Sequence, residues 1–161
     1  MGWQMIQWKE EWNLGIKPID KQHQNILKAI NFLCDWACQK ESDPKALNNV
    51  IRALDAYAGK HFAYEEHLLA KISYKGLDQQ KYEHKMFMLK NKKIKSQLQN
   101  AEHADVVAQE IVKFLQAWLK QHIFEHDAAY APEIKAYFVR KALNAPPLAP
   151  ATALSQPNPD K

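Results

Sequence analysis

Long runs of this chain repeat apolar residues at a helical rhythm, and four of those runs each set a histidine on the apolar stripe. The histidines are His23, His61, His84 and His122, and two of them have a carboxylate about one turn further on, Glu65 and Asp127. Residues four apart in a helix share a face and lie about 6 Å apart along its axis. Packing four such stripes together brings imidazoles and carboxylates into one interior. Burying them without partners is costly, so the pattern asks for a bundle and for something to occupy its middle. Nitrogen and oxygen donors of this kind suit iron, manganese or zinc rather than a substrate nucleophile.

A chain of 161 residues fits one domain with room for a core, and its 4 glycines agree with an all-α fold. The spacing predicts a first helix from Ile19 or Asp20 to about Lys40, with His23, Leu27, Ile30 and Cys34 inward. Ser42 or Asp43 as cap, with Pro44 at the first helical position, predicts a second helix to about Ile72. Its inward face is Leu47, Ile51, Leu54, Ala58, His61, Glu65 and Leu68, and Gly76 is its expected C-terminal stop. A third helix covers roughly Leu77 to Asn100 and turns Gln80, His84, Phe87, Asn91, Ile94 and Leu98 to one side. Asp105 is the expected cap of a fourth, running to about Glu125 with Val107, Ile111, Leu115, Trp118 and His122 inward. A shorter helical piece follows Pro132 and ends by Asn144.

Short connections between long helices imply antiparallel neighbours, hence an up-down-up-down four-helix bundle. The expected division is a Trp-rich N-terminal arm at 1–18 (Trp3, Trp8, Trp12), the bundle at 19–143, and a Pro-rich tail at 144–161 whose composition suits disorder.

The net charge is +4, and Lys90, Lys92, Lys93 and Lys95 crowd one helical stretch. With no basic groove or binding motif beside it, that cluster reads as a solvated helix face rather than a nucleic-acid contact. No apolar run reaches the ~18 residues of a membrane span, and the N-terminus lacks a signal-peptide pattern. A cytoplasmic monomer with no nucleic-acid or membrane partner is the expectation. Cys34 and Cys38 sit four apart in one helix, a poor geometry for a disulfide, and Cys34 reads as a core residue.

Of the other histidines, His67 points away from Glu65 and His103 falls in a predicted loop. His126, four residues after His122, fits a helix face better than Asp127 at five, which needs a wide turn. Glu66 reads as a solvated partner of a nearby lysine. No Glu is followed by His three positions later, which argues against ferritin-type di-iron bundles, and zinc-protease His-Glu-x-x-His spacing is absent.

In this order and at these separations, residues 8–127 resemble the bacterial hemerythrins. Trp8, Leu14-Gly15-Ile16 and Ile19-Asp20-Lys21-Gln22-His23 resemble the N-terminal signature of that family. His61-Phe62-Ala63-Tyr64-Glu65-Glu66 resembles its second motif, and Trp118-Leu119-Lys120-Gln121-His122-Ile123 with Asp127 resembles its last. The resemblance implies a non-haem di-iron bundle that binds dioxygen reversibly for storage, delivery or sensing, with nitric oxide or peroxide as other small ligands. It implies that His23 and His61 bind one iron, His84 and His122 the other, with Glu65 and Asp127 bridging. It favours Asp127 over His126, because the family uses a carboxylate there. Phe62, Trp118, Leu119 and Ile123 take positions that line the family's apolar oxygen pocket, where they limit access of water and protons.

One residue departs from the pattern. Gln80 stands where the family has the first of two histidines on the third helix. Three roles are open to it: ligation through its carbonyl oxygen, support of a bound water, or an open position. The altered second iron makes a di-iron oxidase or peroxidase-like enzyme the alternative function. A metal-poor interaction scaffold, supported only by the arm and tail, is a third.

Overall fold

The computed structural model describes residues 5–37, 44–99 and 104–144. Five α-helices follow one another: α1 (Lys17–Ala37), α2 (Pro44–Lys71), α3 (Leu77–Gln99), α4 (Ala104–Gln121) and α5 (Ala128–Leu143). A π-helical turn at His122–Asp127 joins α4 to α5. α1 packs on α2 and α4, and α3 packs on the same two, which closes four long helices into an antiparallel bundle. No strand occurs among the described residues, and none of their helices is long and apolar enough to cross a membrane.

Ile19, Ile30 and Leu33 of α1 meet Leu47, Ile51 and Leu69 of α2 and Ile111 and Leu115 of α4 in the core. Burying each such side chain stabilises the fold by about 1.5–3 kcal/mol. That gain decides which stripe of each helix turns inward, and the histidines are carried in on the same stripes. The predicted inward residues of α1 and α2 are all buried, as are Gln80, His84, Phe87, Asn91 and Ile94 of α3 and Ile111 and Leu115 of α4. Val107 and Trp118 are half-buried.

Several boundaries differ from the expectations. α1 begins at Lys17 and takes in Pro18, whose missing N–H falls in a first turn that has no intrahelical acceptor to lose. α2 ends at Lys71, and the residue that terminates it is Ser73, not Gly76. Ser73 has φ 53°, Tyr74 N donates to Leu69 O at 3.0 Å, and Ser73 N donates to Ala70 O at 3.1 Å. This left-handed residue with paired back-bonds is a Schellman stop. Gly76 serves a different purpose, since a Cβ there would lie 2.6 Å from the Tyr74 ring.

α4 starts at Ala104, so Asp105 lies within its first turn rather than capping it. The expected helical piece after Pro132 is instead a helix that starts at Ala128 and contains Pro132. A proline ring crowds the carbonyl four residues earlier, here that of Ala128, the first residue after the wide π turn. Trp3, Cys38, Ser42, Asp43, His103 and the tail from 145 onward lie outside the described residues.

The described part of the arm is folded onto the bundle, with Trp12, Leu14 and Ile16 buried. The Asn31 side chain clasps the backbone of Ile6, donating to its O at 2.7 Å and accepting from its N at 3.0 Å. Gly15 has φ 76°, and Asp20 accepts from Leu14 N at 2.7 Å and Gly15 N at 3.1 Å. In the lysine run, Lys92 and Lys93 are exposed, Lys95 pairs with Asp55, and Lys90 lies over the Phe114 ring.

Candidate metal centre

His23 comes from α1, His61 and Glu65 from α2, and His122 and Asp127 from the two ends of the π turn. One ligand atom from each of these five buried residues lies within 4.8 Å of all the others. His61 Nε2 stands 3.6 Å from Glu65 Oε2, as the one-turn spacing requires. The wide turn performs the equivalent service at five residues: His122 Nε2 is 3.2 Å from Asp127 Oδ2, while His126 is half-buried and outside the cluster. His84 reaches in from α3, its Nε2 3.3 Å from Glu65 Oε2, although it is not one of the five. Gln80 is buried beside it and donates from Nε2 to Asp127 Oδ1 at 3.0 Å. His67 is exposed.

Neighbours outside the cluster fix the imidazoles. Gln22 Oε1 accepts from His61 Nδ1 at 2.8 Å, and Glu66 Oε1 accepts from His84 Nδ1 at 2.8 Å. With the Nδ1 proton so engaged, Nε2 of each ring is left as a lone-pair nitrogen facing inward. Glu66 is therefore not the solvated lysine partner that its sequence position suggests. The Tyr130 hydroxyl on α5 donates to Glu65 Oε1. Gln22, Glu66 and Tyr130 are supports that sequence reasoning did not assign.

Aromatic rings wall the cluster. Phe62 stacks on His84 with centroids 4.0 Å apart, Trp118 stacks on His122 at 4.5 Å, and the two aromatics meet edge-on at 5.6 Å. Leu119 and Ile123 are buried and line a narrow cleft between α1 and α4 with Leu27, Trp12 and Phe124. Trp8 of the arm lies 6.5 Å from the His23 ring.

Burial lowers His61 to about 4, opposed by Glu65 and helped by His122 and His84. Burial likewise lowers His23, with His61 adding to the effect, and lowers His122 against the pull of Glu65. Burial pushes Glu65 up, but the charge of His61 and the approach of His122 and His84 outweigh it and hold that carboxylate well below its usual range. Asp127 is pushed well above its usual range by burial and by the Glu65 charge.

The donor set fits a metal. His23 Nε2 sits 2.9 Å from Asp127 Oδ2, yet both atoms lack a hydrogen bond, as do Glu65 Oε2 and His84 Nε2. Buried polar atoms in proteins are nearly always paired. Lone pairs gathered without donors leave a cation as the partner that satisfies them together, and imidazole with carboxylate selects a borderline first-row metal.

A helical bundle with inward-facing imidazoles and carboxylates, backed by hydrogen-bond acceptors and aromatic walls, is a metal-binding bundle of the non-haem type. The family profile described as hemerythrin HHE cation binding domain matches residues 14–134. The chain belongs to the hemerythrin family. It is 30% identical over 133 residues to a bacteriohemerythrin of Stenotrophomonas maltophilia (strain R551-3), covering 83% of this chain and 84% of the relative. It is 34% identical over 130 residues to a bacteriohemerythrin of Clostridium acetobutylicum, covering 78% of this chain and 98% of the relative. A crystal structure of wild-type hemerythrin matches the fold with TM-score 0.71 at 23% identity, over 81% of this chain and 98% of that one.

Proposed function

We propose that this protein is a non-haem di-iron protein that binds dioxygen reversibly. The observation that carries the reading is the set of buried, hydrogen-bond-free lone pairs on His23, Glu65, His84 and Asp127 beside His61 and His122. His23 and His61 would hold one iron, His84 and His122 the other, with Glu65 and Asp127 shared between them. Iron bound there would supply electrons to dioxygen on uptake and recover them on release. The functional unit is the bundle at 19–143, with the arm at 1–18 and the tail at 144–161 flanking it in sequence.

The protein's own contribution is orientation and exclusion. Gln22 and Glu66 keep His61 and His84 in the tautomer that turns Nε2 inward. Tyr130 fixes one oxygen of Glu65 and leaves Oε2 facing His84 at 3.3 Å. Phe62, Trp118, Leu119 and Ile123 keep water and proton donors from the centre, which favours release of an intact ligand over its reduction.

The test is an optical spectrum of iron-loaded protein, reduced and then cycled between air and inert gas. The proposal expects a band that appears in air, fades under inert gas and returns over repeated cycles. Irreversible bleaching with net consumption of oxygen would assign the chain to the oxidase class instead.

A further inference from the structure

We infer that Gln80 is a positioning residue that holds Asp127 and thereby makes the two metal positions unequal. The inference rests on the di-iron reading. Gln80 Nε2 donates to Asp127 Oδ1 at 3.0 Å, while its own Oε1 is buried with no partner. The backbone N of Gln80 donates to Gly76 O at 3.1 Å, which places the residue in the first turn of α3.

The consequence lies in how Asp127 is divided. Its Oδ2 is the oxygen that faces the imidazoles, 2.9 Å from His23 Nε2 and 3.2 Å from His122 Nε2. Its Oδ1 is engaged by an amide donor in a buried, low-dielectric setting, where such a bond is strong and is costly to break. Donors from His23, His61, Glu65 and Asp127 converge within 4.8 Å, enough for one complete metal position, and His122 lies among them. The second position, held by His84 and His122, has only His84 Nε2 outside that cluster, 3.3 Å from Glu65 Oε2. Any further share it takes from Asp127 through Oδ1 competes with Gln80. The first metal therefore binds tightly at His23 and His61 with the two carboxylates, and the second binds weakly on the His84 side. Gln80 acts through Asp127 and is not itself a ligand.

The test adds cobalt(II), without air, to the full-length chain stripped of metal, followed by calorimetry and by the visible absorption of the bound ion. Wild type is expected to fill in two steps at least about tenfold apart in affinity, the lower end of what supporting contacts around a metal are worth. Gln80→His supplies an imidazole and releases Asp127 Oδ1, so the second step should tighten toward the first. Gln80→Leu, or Gln80→Ala should the leucine variant not fold, removes the hold without adding a ligand and should leave the second step no weaker than in wild type. Two equivalents filling in a single step in wild type overturns the inference alone, as does a second step weakened tenfold by Gln80→Leu, which would make Gln80 a ligand. Fewer than two equivalents in wild type and Gln80→His alike overturns the di-iron reading beneath it.

Discussion

The Tyr130 hydroxyl on α5 donates to Glu65 Oε1 on α2, and both side chains are fully buried. This contact ties the C-terminal helix to the middle of the bundle through a group at the centre itself. It also explains why one oxygen of Glu65 is satisfied while the other is not.

Tyr130→Phe keeps the ring and removes the donor, leaving a buried carboxylate oxygen without a partner. We expect a loss of about 1–3 kcal/mol in the metal-free protein, read from the urea midpoint. An unchanged midpoint would show that the bond contributes nothing.

Acidification should destabilise the metal-free protein, and the sign follows from the imidazoles. His61 is held at about 4 against an unfolded value of 6.5, and His23 and His122 are lowered too. Between those values the unfolded chain binds more protons, so stability is present above pH 6.5 and is lost as pH falls toward 4. Each imidazole contributes at most about 1.4 kcal/mol per pH unit. Asp127 works in the opposite sense: its raised value favours the folded state at low pH, and that contribution is lost as pH rises past 3.8 toward the folded value. Three imidazoles outweigh one carboxyl, so urea midpoints measured from pH 7.5 down to 4.5 should fall. A flat or rising profile would mean that the histidines are not neutral in the folded state.

Metal should raise stability by mass action, because the convergent donors exist only in the folded chain. A free metal concentration a hundred times its dissociation constant adds about 2.7 kcal/mol. Thermal unfolding with iron(II) under inert gas should therefore shift upward by several degrees and fall back on adding a chelator. Identical transitions with and without metal would contradict the site.

Phe62→Ala removes a buried ring that stacks on His84 at 4.0 Å and meets Trp118. Deleting a buried Phe side chain costs about 3–5 kcal/mol. Phe62→Leu, which refills most of the space, should cost markedly less. Equal losses for the two variants would mean that the site collapses around the alanine.

Much of this was legible in the chain because it is periodic. His23, His61 with Glu65, and His84 lie on apolar stripes, and burial of those stripes carries them inward whatever the details of packing. The five-residue gap from His122 to Asp127 was legible as a demand for a wide turn, and a π-helical turn meets it. The supports were not legible. Tyr130 and Glu65 are 65 positions apart, and no local pattern joins a hydroxyl on one helix to a carboxylate on another. Glu66 beside Glu65 resembles a surface acid until α3 brings His84 Nδ1 within 2.8 Å. The stop at Ser73 was missed because a left-handed residue is read from sequence as glycine, and Gly76 stood close by.

The most direct test of the central claim is anomalous diffraction at the iron edge from crystals of the iron-loaded protein. The account predicts two iron peaks among His23, His61, Glu65, His84, His122 and Asp127. A single peak, or iron bound elsewhere with these side chains splayed apart, would contradict it.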